Sequence, residues 1–101
     1  MKKKHLEADT EQAFVWYAEI QGCEARKLRD EGEDGFPDRT VMTPYGTFYI
    51  EFKRGPDDEL RPSQIVWKNR LEALGYIVLV TWELDEAKQL LDMFLKNGRQ
   101  K

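Results

Sequence analysis

Ala13, Trp16, Tyr17 and Ile20 recur at helical spacing, and Asp9 followed by Gln12 resembles a capping box. These signals predict a first helix over about residues 10–21, stopped at Gly22. A short strand follows around Glu24–Leu28, and the acidic, glycine-containing stretch from Asp30 to Gly35 is a loop. A second strand is expected at about Asp38–Thr43, after which Pro44-Tyr45-Gly46 supplies turn chemistry. In the third strand, about Thr47–Lys53, Phe48, Ile50 and Phe52 alternate with Tyr49, Glu51 and Lys53. Strands two and three therefore form a hairpin. Arg54 to Arg61 is a polar loop, and a second helix begins near Pro62 and runs to about Leu74, with Gly75 past its end. Gln64, Trp67, Leu71 and Leu74 share one face of it. Tyr76–Thr81 is nearly continuous in apolar residues and reads as a buried strand. The last helix, about Asp85–Lys96, carries Ala87, Leu90, Leu91, Phe94 and Leu95 on one face.

The order αβββαβα contains one strand–helix–strand unit, which implies a parallel crossover beside the hairpin. The fold class expected is α/β, a mixed sheet flanked by helices. There is no repeat, low-complexity tract or linker, and 101 residues fit a single domain. Residues 1–8 and 97–101 are expected to be flexible ends.

Composition narrows the function classes. Five Phe, four Tyr and three Trp, within 41% hydrophobic residues, are enough to drive collapse. A net charge of −3 counts against a general nucleic-acid coat protein, although local basic patches can coexist with a negative total. Cys23 is the single cysteine, so no internal disulfide forms; a small buried apolar role suits it. Lys2, Lys3 and Lys4 have no apolar stretch behind them, which is unlike a signal peptide, and no segment has the ~18 apolar residues of a membrane span. A cytoplasmic, soluble protein is expected. His5, the lone histidine, gives no support to zinc binding or to a histidine-centred triad.

The chemistry concentrates in Pro37-Asp38 and Glu51-Phe52-Lys53. The hairpin lets Asp38 and Glu51 meet across neighbouring strands. Glu51 and Lys53, two apart, share a face, while Phe52 points into the core. Two carboxylates suit Mg²⁺, which takes hard oxygen ligands plus water and phosphate. A lysine beside them can orient water or stabilise phosphate charge. Taken alone, an Asp and a Glu-x-Lys more often form a surface salt bridge.

Further positions bear on the choice. Glu11 in the first helix, Lys27, Gly35-Phe36-Pro37-Asp38, Glu51-Phe52-Lys53, and Leu60-Arg61-Pro62-Ser63-Gln64 followed by Trp67, Leu71 and Gly75 resemble the VRR-NUC family of the PD-(D/E)xK nuclease superfamily. The likeness runs from about Glu11 to about Ala87. It implies a restriction-endonuclease-like core. It also implies metal ligands at Asp38 and Glu51 with the Phe52 carbonyl, a catalytic lysine at Lys53, and Gln64 supporting the site from the second helix. Glu11 would be the helix-one carboxylate near the metal, with Glu7 a competitor for that role, and Lys27 a phosphate contact. Arg26, Arg54 and Arg61, with Arg29, Lys68 and Arg70, are further candidates for a phosphate track.

The function expected is a Mg²⁺- or Mn²⁺-dependent endonuclease acting on DNA. It would be selective for branched structures such as flaps or four-way junctions, because no helix is clearly dedicated to a major groove. The rivals are a DNA-binding module that kept the fold without turnover, and a restriction-type enzyme reading a short sequence. A homodimer is expected, with Trp16, Tyr17, Trp82 and Phe94 as interface candidates.

Overall fold

In the computed structural model, residues 7–28 and 34–99 are described. Lys2, Lys3, Lys4, His5 and Arg29 lie outside the described residues. Seven elements run in the expected order: α1 (Glu7–Ile20), β1 (Glu24–Arg26), β2 (Arg39–Thr43), β3 (Gly46–Phe52), α2 (Pro62–Ala73), β4 (Val78–Thr81) and α3 (Leu84–Arg99). The strands form one sheet in the order β1-β2-β3-β4. The first two pairings are antiparallel, and β3 pairs with β4 in parallel, as the α2 crossover requires. The hairpin closes through Pro44-Tyr45. Thr43 Oγ1 accepts the Tyr45 N–H and donates to the Gly46 carbonyl, and Gly46 takes a φ of +137° that a side chain would oppose.

Strand β3 serves both layers. Phe48, Ile50 and Phe52 are fully buried against Phe14 and Ala18 of α1 and Ala87, Leu91 and Leu95 of α3. The Phe14 and Phe52 rings lie 6.0 Å apart, and the Phe48 and Phe94 rings 4.8 Å. Under α2, Phe36 meets Tyr49 and Trp67 edge-on at 5.7 and 5.0 Å, and Tyr49 meets Tyr76 at 5.4 Å.

Several expectations are corrected. Helix α1 starts at Glu7, so Asp9 lies inside it rather than capping it, and α3 continues to Arg99. The buried residues of α1 are Thr10, Phe14 and Ala18, while Trp16 and Ile20 are exposed. Apolar residues occur all round this helix, so spacing alone does not select the face; packing of Phe14 against Phe52 does. Leu74 is exposed because α2 ends at Ala73, and among the described residues β4 pairs with β3 alone, so the expected buried strand is a sheet edge whose Val78 and Thr81 are still buried. Tyr17 donates a hydrogen bond to Asp92 and Phe94 packs on the core, so these two interface candidates are engaged within the fold. Among the described residues no helix is long and apolar enough to cross a membrane.

The contrast between Leu91 and Leu74 is a direct check of this packing. Leu91→Ala should cost about 2–5 kcal/mol in urea unfolding, as for a large-to-small change in a closed core. Leu74→Ala should stay within about 0.5 kcal/mol, the range of surface substitutions.

Candidate active site

Extending the β2–β3 register one step beyond Arg39–Ile50 brings Asp38 level with Glu51. Asp38 Oδ2 accepts the Phe52 N–H at 2.8 Å. The N–H and C=O of one strand residue leave on the same side, so the Phe52 carbonyl also opens toward Asp38. Glu51 and Lys53 share the opposite side-chain face from Phe52, under the start of α2. Glu51, Lys53 and Gln64 are 5%, 7% and 8% exposed.

Gln64 connects them. Its Nε2 donates to Glu51 Oε2 at 2.9 Å, and its Oε1 accepts from Lys53 Nζ at 2.9 Å and from the Arg61 N–H at 2.8 Å. Pro62 starts α2 and places Gln64 in its first turn, where a side chain can reach back to the backbone N–H ahead of the helix. Lys53 Nζ lies 3.8 Å from Glu51 Oε2.

The loop carrying Asp38 rests on the same helix end. Gly35 has φ +89°, and a Cβ there would sit 2.4 Å from the Ser63 carbonyl carbon and oxygen and 2.8 Å from the Gln64 nitrogen. Ser63 Oγ donates to Asp34 Oδ2 at 3.1 Å, and Arg61 reaches Asp34 at 3.4 Å. Glycine is thus needed for close approach as well as for backbone conformation.

Burial raises the pKa of Glu51 to about 8, with the neighbouring Asp38 charge adding to the rise and Lys53 opposing it; a hydrogen bond with Asp38 and the charge of Glu7 raise it further. Glu7 is also raised, first by burial and then by Asp38. The first turn of α1 therefore feels the field of the carboxylate pair. Glu11 is engaged elsewhere: its Oε2 accepts from Arg39 Nε at 2.6 Å and lies 4.0 Å from Lys27 Nζ. Arg39 also donates to the Ala25 carbonyl at 3.2 Å, so this pair ties α1 to β1 and β2 directly beside Asp38. Arg39 did not stand out as a site neighbour in the sequence. Its signal is a charged residue at the first strand position on the core face, which requires an acid opposite it.

The donor set fits a hard divalent cation. Asp38 and Glu51 offer carboxylate oxygens and Phe52 a carbonyl, and a cation would offset the charge that burial and proximity disfavour on Glu51. No group of three or more His, Cys, Asp or Glu side chains is assembled among the described residues. The candidate DNA contacts all sit in surface ion pairs: Arg26 with Glu24 at 3.8 Å, Lys27 with Glu11 at 4.0 Å, Arg54 with Asp58 at 3.5 Å and Arg61 with Asp34 at 3.4 Å.

No protein-family model and no curated protein matches the chain. A solved structure described as a VRR_NUC domain does, with a TM-score of 0.76 and 26% identity over 85% of this chain and 94% of that one. A mixed four-stranded sheet of order αβββαβα with this likeness defines a nuclease-fold DNA-processing domain. Within that class the chain is similar in fold and sequence to the VRR_NUC domain, in line with the resemblance carried by its motifs.

Two outcomes follow from the geometry. Gly35→Ala should destabilise the fold by about 1–3 kcal/mol from backbone conformation alone, with the clash against Ser63 adding to it. A thermal melt checks this, and an unchanged melting temperature contradicts the docking of the loop on α2. The second concerns pH without metal. Folded Glu51 holds its proton up to about 8, whereas an unfolded glutamate loses it near 4.5. The folded state binds more protons across that window, so stability is highest below it and falls as pH rises through it. Urea unfolding in a chelator at pH 5 and pH 8 should show a smaller loss for Glu51→Gln than for the parent.

Proposed function

We infer that the chain hydrolyses DNA phosphodiester bonds with Mg²⁺ or Mn²⁺, acting on branched structures as a homodimer. The observation that carries this is buried Glu51 and Lys53, both held by Gln64, beside Asp38, which accepts the Phe52 N–H. Such an arrangement costs stability in a fold that has no structural need for it.

Asp38, Glu51 and the Phe52 carbonyl would hold the cation. When bound, the cation polarises the phosphate and activates water. Lys53 keeps donor capacity beyond its bond to Gln64, directed at the attacking water or a phosphate oxygen. Gln64 is a positioning residue that holds Glu51 and Lys53 in register. Glu11 is paired with Arg39, while Glu7 at the start of the same helix lies in the field of Asp38. A third ligand is not required, because Mg²⁺ commonly keeps waters.

Arg26, Lys27, Arg54 and Arg61 are the phosphate contacts. Exposed ion pairs contribute little, so exchanging a carboxylate for a phosphate costs little and releases counterions. Shape rather than sequence directs the choice of substrate. The outer side of α2 presents Ile65 and Val66, Lys68 is paired with Glu72, and Arg70 lies over the Trp67 ring. That surface supports no row of base-reading side chains.

The test is cleavage of flap, splayed-arm, four-way and plain duplex DNA with Mg²⁺, with Mn²⁺ and with chelator. Branched substrates should be cut only with metal, and Asp38→Ala or Glu51→Ala should abolish cutting while the fold persists. Lys53→Ala should lower turnover about 10²-fold or more yet retain DNA binding in Ca²⁺. Metal-dependent cutting that survives Asp38→Ala contradicts the site, and equal cutting of all four substrates contradicts shape selection.

A further inference from the structure

Asp38 lies where strand β2 begins, and the chain on its two sides is held from opposite faces of the sheet. Before it, Gly35 is pressed against Ser63, and Phe36 packs on Tyr49 and Trp67, all on the α2 face. After it, Arg39 pairs in register with Ile50 and turns to the face covered by α1 and α3. A charged side chain is costly there unless it is engaged. Arg39 Nε donates to Glu11 Oε2 at 2.6 Å, and Nη1 donates to the Ala25 carbonyl at 3.2 Å. The Arg39 side chain is 15% exposed and that of Glu11 12%. One guanidinium therefore joins α1, β1 and β2.

Stability alone does not account for this pair. Ion pairs in such a setting are often replaced by apolar residues without loss, because dehydrating two charges offsets their attraction. Ala25 and Ile50, the ladder neighbours of this region, are themselves buried and apolar. What the arginine adds is direction. Its planar fork sends two N–H groups to two different elements, an arrangement that the single nitrogen of a lysine does not reproduce. The constraint falls one peptide from Asp38, whose carboxylate stands level with Glu51.

We propose that Arg39 is a positioning residue of the metal site, holding the first peptide of β2 so that the Asp38 carboxylate stays within reach of a cation on Glu51. This rests on the reading of Asp38 and Glu51 as cation ligands. Charge and position make opposite predictions for its removal. Without Arg39, Glu11 keeps only the exposed Lys27, 4.0 Å away, against its charge. Coulomb attraction alone would then draw a divalent cation in more tightly. A Glu11 released toward the metal would act in the same sense. Loss of position acts against both, because removing a group that orients a ligand weakens coordination by about 10–100-fold.

The experiment is calorimetric titration with Mn²⁺, at one pH, of the parent and of Arg39→Met, Arg39→Lys, Asp38→Ala and Leu95→Ala, with circular dichroism to check folding. Arg39→Met should bind Mn²⁺ at least about tenfold more weakly than the parent. Arg39→Lys keeps the charge but loses the fork, and should also bind more weakly; it carries the comparison if Arg39→Met does not fold. Leu95→Ala removes core packing at the hairpin end, next to Phe94 on Phe48, and should lower stability while binding Mn²⁺ like the parent. In the metal-free protein, the Phe52 N–H that donates to Asp38 should lose exchange protection in Arg39→Met beyond any loss in Leu95→Ala. Parent-like or tighter Mn²⁺ binding by the Arg39 variants, with Asp38→Ala deficient, overturns the positioning role and leaves the cation reading intact. So does an unchanged Phe52 amide. Asp38→Ala that binds Mn²⁺ as well as the parent overturns both.

Discussion

One side-chain amide holds the site together. Gln64 donates to Glu51 and accepts from both Lys53 and the Arg61 backbone. Each of these bonds fixes which end of the amide is which, because an inverted amide would set its NH₂ against two donors. The amide is nearly buried, so a lost bond would leave a polar group without water to replace it. The start of α2, the end of β3 and the loop pressed against them at Gly35 are therefore one mechanical unit.

The two faces of β3 divide the labour. Phe48, Ile50 and Phe52 anchor the strand between α1 and α3, while the alternate residues build a charged site under α2. The anchoring face offsets what the charged face costs. Asp38 and Glu51 repel one another in a partly dehydrated setting, which is why Glu51 holds its proton far above the ordinary carboxylate range. Strain of this kind is tolerable on a strand whose other side is closed by aromatic packing. The Arg39–Glu11 pair reinforces it by linking α1 to the residue next to Asp38.

Much of this was legible in the sequence because it rests on short-range periodicity. The alternation through Phe48–Lys53 placed Glu51 and Lys53 on one face, Pro62 marked the helix start, and the first-turn position of Gln64 suggested a polar group aimed at the site. What was not legible depended on long-range choices. Helix α1 is apolar on several faces, so only contact with Phe52 could decide that Phe14 rather than Trp16 goes inside. The run Tyr76–Thr81 looks the same in a central strand as in an edge strand, and the sheet order alone separates the two. Glu11 and Glu7 differ by one helical turn. Glu11 pairs with Arg39, a residue 28 positions away whose strand face had to be known first, while Glu7 lies in the field of Asp38.

On the proposed function, Asp38 and Glu51 are kept close and Glu51 holds a proton that a divalent cation can replace. Calorimetric titration with Mn²⁺ at pH 7 in two buffers of different ionisation enthalpy counts that proton directly. Binding should release about one proton from the parent and close to none from Glu51→Gln, since a ligand must be deprotonated to coordinate. Mn²⁺ binding with no proton release, or binding of equal strength in Glu51→Gln and Asp38→Ala, would show that the pair is not the metal site.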